Sequence, residues 1–492
     1  MEIVSAADVF NEARRLLEGK TADGTPCEKN LVKSEALLNE YLNNNVGHAM
    51  GLFVLGSLHL EKGNFGLAIQ LLSQITQSHP KFGEVWSNLG MAYRGVNDFK
   101  RAIACCLRAC QLVDHADMPC NLSGLHLNRN CPEEALKWAD VALAMDPNHI
   151  KSRWHRAMAL LEMRKWDVAW EDHESRLDGG ANQNIATRNY HGPDGMTPWW
   201  DGKSSGTVAI HGEQGMGDEV MFASCLKDAL ATGAKIVLEP SPRLAGLFQR
   251  SFPDIAVHGT NETDGRDWVG EHGRPDFKFA IGSLPKFYRR KEADFPGTPY
   301  LIADPVKMAW WGGKLKELGG RPKVGLAWQG GVQSTRYEAR SFHPVQFAPL
   351  LKHDVDWISL QYDQTARDNV AQVKQALGVD IVHWPKAVEA ADPDSKKPSN
   401  LEELAALIAS LDMVISVCQT SIHLAGALGV PCLCLTPSQP SWRYGAVESE
   451  AMPWYGSVRM LRQERDTVDW GPVIERAAQQ LGEFLKSVEA VA

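Results

Sequence analysis

Four segments carry residues whose types and spacing could do chemistry. The first is HGEQGMGDEVMF (211–222), at the end of a β-rich run. Gly212, Gly215 and Gly217 let a ligand approach the backbone closely, and Asp218 opens a helix whose start favours anions. It is not a P-loop, because no GK[ST] follows, and it is not GxGxxG. Asp218 reads either as a helix N-cap or as a cleft-facing acid, and the two roles are compatible. The second is MVISVCQTSIHLAGALGVP (413–431), where Thr420 and Ser421 open a helix that carries His423 one turn in and Gly426 beyond it. Hydroxyls and backbone N–H groups at a helix start suit a diphosphate, and capping is the plain alternative for both residues. The third is WQGGVQSTRYEARSFHP (328–344), in which Arg336, Arg340 and Ser341 offer charge and donors for phosphate, or form a solvated loop. The fourth, 438–463, sets Trp442, Arg443 and Tyr444 ahead of Trp454 and Tyr455. Those side chains could hold a base or sugar ring, or could be a packing patch.

The elements that must position these residues follow from pattern and composition. The chain has 492 residues, 51 Lys+Arg against 60 Asp+Glu, and a net charge of −9. At about 150 residues per domain, that is about three domains. Hydrophobic residues at 44% and charged residues at 23% exclude a disordered or fibrous chain. The acidic balance argues against general nucleic-acid or anionic-membrane binding. The ten cysteines form no CxxC, and no Cys/His spacing reads as a metal site, so no metal is expected. Scattered through apolar runs, they read as buried thiols of a reducing compartment. The opening MEIVSAADVFNEARRLLEGK has no signal-peptide apolar core, and no stretch spans a membrane. A cytoplasmic protein is expected.

The first third repeats. GEVWSNLGMAYRGVNDFKRAIACCLRACQLVD (83–114) places Trp86, Leu89, Gly90 and Tyr93 on one helix and Ala102, Cys106 and Ala109 on the next. This resembles a tetratricopeptide (TPR) unit, with its period of about 34 residues. Copies precede it at Leu55, Gly56, Ala68 and Pro80, and follow it at Ala135, Ala142 and Pro147 and at Trp154, Ala157, Leu160 and Ala169. Residues 31–41 read as part of a degenerate leading repeat. Small residues at fixed positions let paired helices approach, and four to five units make a curved solenoid.

From 207 onward, strand-like runs alternate with helices in two blocks. The runs are 207–213, 235–240, 255–260 and 277–284, then, after a break at 295–305, 323–330, 356–361, 381–384, 413–418 and 431–437. Such alternation predicts two doubly wound parallel sheets with ligands at the carboxyl ends of the strands. A final helix is read over 470–488. The domains are thus read as a TPR α-solenoid over 1–180, a linker and first Rossmann-like half over 181–305, and a second half over 306–492.

HGEQGMGDEVMF, GSLP, PYL, GLAWQG, RSF, SLQ and HLAGALG occur in the order seen in bacterial TPR-containing, heptosyltransferase-like glycosyltransferases (family 9). The resemblance extends to KWDVAWEDHESRL, WRYG and MPWY, and covers nearly the whole chain. It implies α + α/β architecture, a TPR solenoid followed by a GT-B fold of two Rossmann-like halves, with the final helix crossing back to the first half. It also implies a metal-independent, inverting glycosyltransferase with a nucleotide-sugar as co-substrate and no other cofactor. On this resemblance Asp218 is the base. Gln214, Gly215, Gly217, Trp328, Gln329, Gln361, Gln419, Thr420, Ser421, His423 and Gly426 fall around the donor, with Arg336, Arg340 and Ser341 at its phosphates. Trp442, Arg443 and Tyr444 are left for the base or sugar. Cys418-Gln419 depart from the pattern, since the family carries there an acid that helps bind the sugar. A heptose donor is therefore not carried over. The acceptor, a protein or glycan, is expected in the TPR groove; a homo-oligomer is left open. The competing reading is a non-catalytic TPR scaffold whose GT-B part only binds a ligand.

Overall fold

The computed structural model describes residues 10–13, 15–16, 28–178, 189–190, 195–260, 267–331, 337–362, 365–388, 401–445, 449–465 and 467–490. The chain divides into two compact units, one of residues 1–163 with 171–183, the other of residues 164–170 with 184–492.

The first unit is built of antiparallel helix pairs. Ala49–Glu61 pairs with Phe65–Ser78, Gly83–Gly95 with Phe99–Leu112, and Asp117–Asn128 with Pro132–Met145. Ile150–Glu162 follows, and Glu28–Asn44 precedes the series. Sequence spacing explains the repetition. Gly56, Gly90 and Gly124 stand 34 positions apart, and a Cβ on Gly90 would lie 2.5 Å from Cys106 Sγ. Ala68, Ala102, Ala135 and Ala169 occupy the matching position of the second helices and are all fully buried. Between the paired helices one residue takes positive φ, Gly63 (73°), Asn97 (59°) and Asn130 (54°), and Arg164 of the second unit takes 57°. Neighbouring repeats are joined by polar bonds from Asn88 Nδ2 to Ser57 Oγ at 2.8 Å and from Asn121 Nδ2 to Ser87 Oγ at 3.0 Å.

The second unit holds two parallel sheets. Strands β1 (Thr207–His211), β2 (Lys235–Glu239), β3 (Ala256–Val257) and β4 (Phe277–Ala280) form the first, in the order β3-β2-β1-β4. The second contains β5 (Lys323–Ala327), β6 (Asp356–Ser359), β7 (Ile381–Val382), β8 (Met413–Val417), β9 (Cys432–Thr436) and β10 (Val458–Arg462). Their order is β10-β9-β8-β5-β6-β7. The strands are short and nearly all buried, as parallel strands covered on both faces must be. The fold class is thus a TPR-type α-solenoid followed by a GT-B-type α/β unit with two Rossmann-like sheets.

Two sequence expectations need correction. The strand-like runs do not include β10, which sits inside an aromatic-rich segment at the edge of the sheet, pairing with β9 and bridging antiparallel to Ala451. The last helix, Gly471–Glu489, does not dock on the first half as expected. Its Val473, Ile474, Ala477 and Leu481 join the core that also holds Val324, Leu326 and Trp357, so it covers the second sheet. The nine described cysteines are free, most of them buried. Among the described residues no helix is long and apolar enough to cross a membrane.

Candidate functional site

Two loops at the carboxyl ends of central strands face each other within the second unit. After β1, the chain turns through Gly212–Gly215 into helix Met216–Phe222. Gln214 takes positive φ (65°) in that turn. Asp218 is not the N-cap. It is the third helical residue, and its carboxylate reaches back to accept from Gly215 N at 3.2 Å. After β8, Cys418 and Gln419 lead into helix Thr420–Leu428. Gln419 is the N-cap and gives no side-chain cap, while Thr420 and Ser421 are the first helical residues rather than caps. The first-turn N–H groups of that helix therefore carry the partial positive charge of an uncapped helix start.

The two helices touch. A Cβ on Gly217 would lie 2.9 Å from His423 Cδ2, so only glycine permits this approach. His423 Nδ1 shares a hydrogen bond with Tyr455 Oη at 3.0 Å, and its Nε2 lies 3.3 Å from Tyr444 Oη. Burial, then the nearby Arg443 charge, push its pKa down to about 3, so the ring is neutral at pH 7. Tyr455 lies against the face of Gly426, where a Cβ would come within 2.3 Å of Tyr455 Cγ.

Arg443 connects the loops. Its Nε donates to Asp218 Oδ1, and its Nη2 donates to Gln214 Oε1 at 2.9 Å. The guanidinium also stands over the Trp442 ring, 5.0 Å from its centroid. Trp442 itself is buried, stacked on Phe222 at 6.2 Å and edge-on to Trp170 at 5.9 Å. Of the two readings for the aromatic patch, packing is where the structure puts Trp442.

The remaining sequence candidates surround β5. Trp328 is fully buried in the core of the second half. Gln361 is also buried, and its Oε1 accepts from Trp328 N and Gln329 N at 3.1 and 3.0 Å. It shapes the loop rather than facing out of it. Gly330 N donates to Ser341 Oγ at 3.3 Å, and Arg340 Nη1 donates to Cys418 O at 3.3 Å. Gln419 Nε2 donates to Ser416 Oγ at 3.4 Å, which leaves its buried Oε1 without a partner among the described residues. Arg336 lies outside the described residues.

The structure therefore gathers Gln214, Gly215, Gly217, Asp218, His423, Arg443 and Tyr444 into one cluster, with Gln419, Thr420 and Ser421 one helical turn away. Sequence reasoning missed Glu213 and Glu219, although both stand in the quoted glycine loop. Glu213 Oε1 accepts from Gly282 N at 2.9 Å. Glu219 is buried against Gly212 and accepts from Ser241 N at 2.8 Å. Burial, reinforced by the neighbouring Asp218 and Glu213 charges, pushes its carboxyl up to about 8. Chemically, the cluster pairs a carboxylate with a cation, beside a helix start suited to an anion.

No family model matches the chain. It is 30% identical over 442 residues to Protein FlbA of Caulobacter vibrioides, covering 85% of this chain and 70% of that protein. Among solved structures, it is similar to a glycosyl transferase family 9 protein from Veillonella parvula at 11% identity and TM-score 0.42, over 57% of this chain and 98% of that one. It is also similar to a thermophilic TPR protein of Thermus thermophilus at 16% identity and TM-score 0.31, over 35% of this chain and 91% of that one.

Proposed function

The chain belongs to the family of Protein FlbA, and we propose that its second unit is a glycosyltransferase. It moves a sugar from a nucleotide-sugar to a hydroxyl of a protein or glycan acceptor, with inversion and without a metal in the transfer step. The halves over 181–305 and 306–492 hold the donor between them, and the TPR array over 1–180 takes part in holding the acceptor. A cytoplasmic setting goes with this reading.

The observation that carries it is the pairing of Asp218 with Arg443, beside the uncapped start of helix Thr420–Leu428. In the transfer, the acceptor oxygen attacks the anomeric carbon and the bond from that carbon to the diphosphate oxygen breaks. The hydroxyl proton goes to Asp218, and the electron pair leaves with the diphosphate. Charge on the leaving group is met by the helix start, by Arg443 and by Arg340. Arg443 is bound to the base here, so a diphosphate that draws it away also frees Asp218. His423 is neutral with both ring nitrogens tied to tyrosines, so in this reading it holds Tyr444 and Tyr455 in place rather than supplying charge.

A second reading has its own support. Asp218 is held in an ion pair with Arg443, and Trp328 and Gln361 are committed to the protein's interior. That is what a ligand-binding scaffold without transfer activity would retain. Turnover separates the two. With the donor found by binding, Asp218→Asn should still bind it and lose transfer at least about 100-fold. A wild type that binds a nucleotide-sugar yet neither transfers nor hydrolyses it with any acceptor class favours the scaffold.

A further inference from the structure

Away from these loops, the turns beyond β3 and before β4 bring three metal-ligating side chains together. The ligating atoms of His258, Glu271 and His272 all lie within 4.8 Å of one another. The scaffold under them is fixed by one residue. Trp268 is buried, and its Nε1 donates to Glu239 Oε1 at 2.7 Å. Its ring stacks on His258, with centroids 5.8 Å apart and planes at 18°. Its carbonyl oxygen accepts from Glu271 N at 2.9 Å and His272 N at 3.0 Å. His258 N is itself tied to Leu238 O, at the end of β2, at 2.9 Å. A single locked indole thus places the ring of one ligand and the backbone of the other two.

The side chains themselves are not satisfied by one another. The His258 and His272 rings meet edge to face at 4.9 Å, and His272 Nε2 stands 4.0 Å from Glu271 Oε2, beyond hydrogen-bond range. His258 Nε2 is buried without a partner among the described residues. Buried polar atoms are normally paired, so this is where an ion would repay the arrangement.

We propose that His258, Glu271 and His272 bind a borderline divalent cation of the Zn2+ class that pins the 267–273 turn to the end of β3. Two imidazoles and one carboxylate select such an ion over Ca2+ or Mg2+, which prefer all-oxygen sites. Ligand atoms about 2.1 Å from a tetrahedral centre sit roughly 3.4 Å apart, so closure needs about an ångström of movement. Glu271 and His272 can supply it, with side chains 72% and 37% exposed. Three protein ligands leave one position for water. Trp268 and Glu239 pass the ion's position to His211, which shares the Glu239 carboxylate at the end of β1. The site needs no assumption about transfer chemistry.

The test uses the full chain stripped with chelator, titrated with Zn2+ by calorimetry and with Co2+ by absorbance and tryptophan fluorescence. The wild type should bind one Zn2+ per chain, and Co2+ should quench the indole stacked on His258 without producing a thiolate charge-transfer band. His258→Ala, His272→Ala and Glu271→Gln should each weaken binding at least tenfold and remove the quenching. Because Glu271 and His272 lie at the surface, Glu271→Gln and His272→Ala should keep the wild-type melting curve when no metal is present, which separates loss of ligand from loss of fold. Wild type that takes up no Zn2+, or variants that bind it undiminished, would overturn the proposal.

Discussion

Arg443 holds Asp218 across 225 residues of sequence, and the same guanidinium holds Gln214 at 2.9 Å. The carboxylate and the cation are thus assembled from opposite halves of the second unit. Each half alone would present an unpaired charge. If the pair is the resting state of a donor site, Arg443 is the group a diphosphate competes for. Arg443→Ala should then abolish most nucleoside-diphosphate binding, a loss of about 1.5–3 kcal/mol for a charge-assisted bond. Arg443→Lys should restore only part of it, because lysine cannot fork. Calorimetric titration with the bound nucleotide reads both.

The contact between the two helices is a packing prediction. Gly426→Ala would drive a methyl into Tyr455, and Gly217→Ala would drive one towards His423. Both neighbours are buried, so neither can simply swing away. Each substitution should cost about 1–3 kcal/mol of stability. Gly426→Ala should be the more damaging, since its clash is at 2.3 Å against 2.9 Å. Denaturant unfolding of the variants measures this. Wild-type stability in Gly217→Ala would mean that the two helices sit further apart in solution, and in Gly426→Ala that Tyr455 stands further from its helix.

Two buried groups make opposite contributions to pH dependence. Glu219 is pushed up to about 8, above its unfolded value near 4.5, so the folded state holds a proton that the unfolded state has lost. Its contribution therefore worsens as pH rises from about 4.5 to about 8 and is constant above that. His423 is pushed down to about 3 from 6.5, so its contribution is intact above about 6.5 and is lost as pH falls towards 3. Melting curves across pH should show Glu219→Gln gaining on wild type between about pH 5 and 8. A difference that stays flat over that interval would place Glu219 in a wetter environment.

In the repeats, the residue linking the paired helices sits in the left-handed region in each of the three pairs described, and Arg164 adopts it too. Asn130→Gly should be neutral or mildly stabilising, while Asn130→Val should cost about 1–2 kcal/mol. Arg164 is different, because its side chain also donates to Glu292 Oε1 and Ala451 O at 2.8 and 2.7 Å. Arg164→Gly would gain backbone freedom and lose both bonds. Thermal unfolding of the three variants reads these differences.

Much of this was legible in the sequence. The glycine and alanine spacing of the repeats is a close-packing constraint, and it located helix pairs that the structure contains. The parallel strands were visible as short apolar runs. The glycine loop and the start of the His423 helix were visible too, because glycine and hydroxyl residues at strand ends are local signals. What was hidden is non-local. Nothing near Asp218 points to Arg443, and the hydrophobic face of helix Gly471–Glu489 shows that it packs without showing on which sheet. Trp328 and Gln361 stand at strand ends like ligand-binding residues, yet their side chains are turned inward, and sequence position does not encode that choice. The His258–His272 cluster fits no spacing template, since its members come from a strand end and a four-residue helix.

The central claim is most directly tested by a thermal-shift screen of the full chain against nucleoside diphosphates and nucleotide-sugars, without added metal. A ligand at about a hundred times its dissociation constant stabilises the folded state by about 2.7 kcal/mol. The account predicts a shift selective for one base, retained in Asp218→Asn and lost in Arg443→Ala. No shift across the whole panel, or one that Arg443→Ala leaves unchanged, would contradict it.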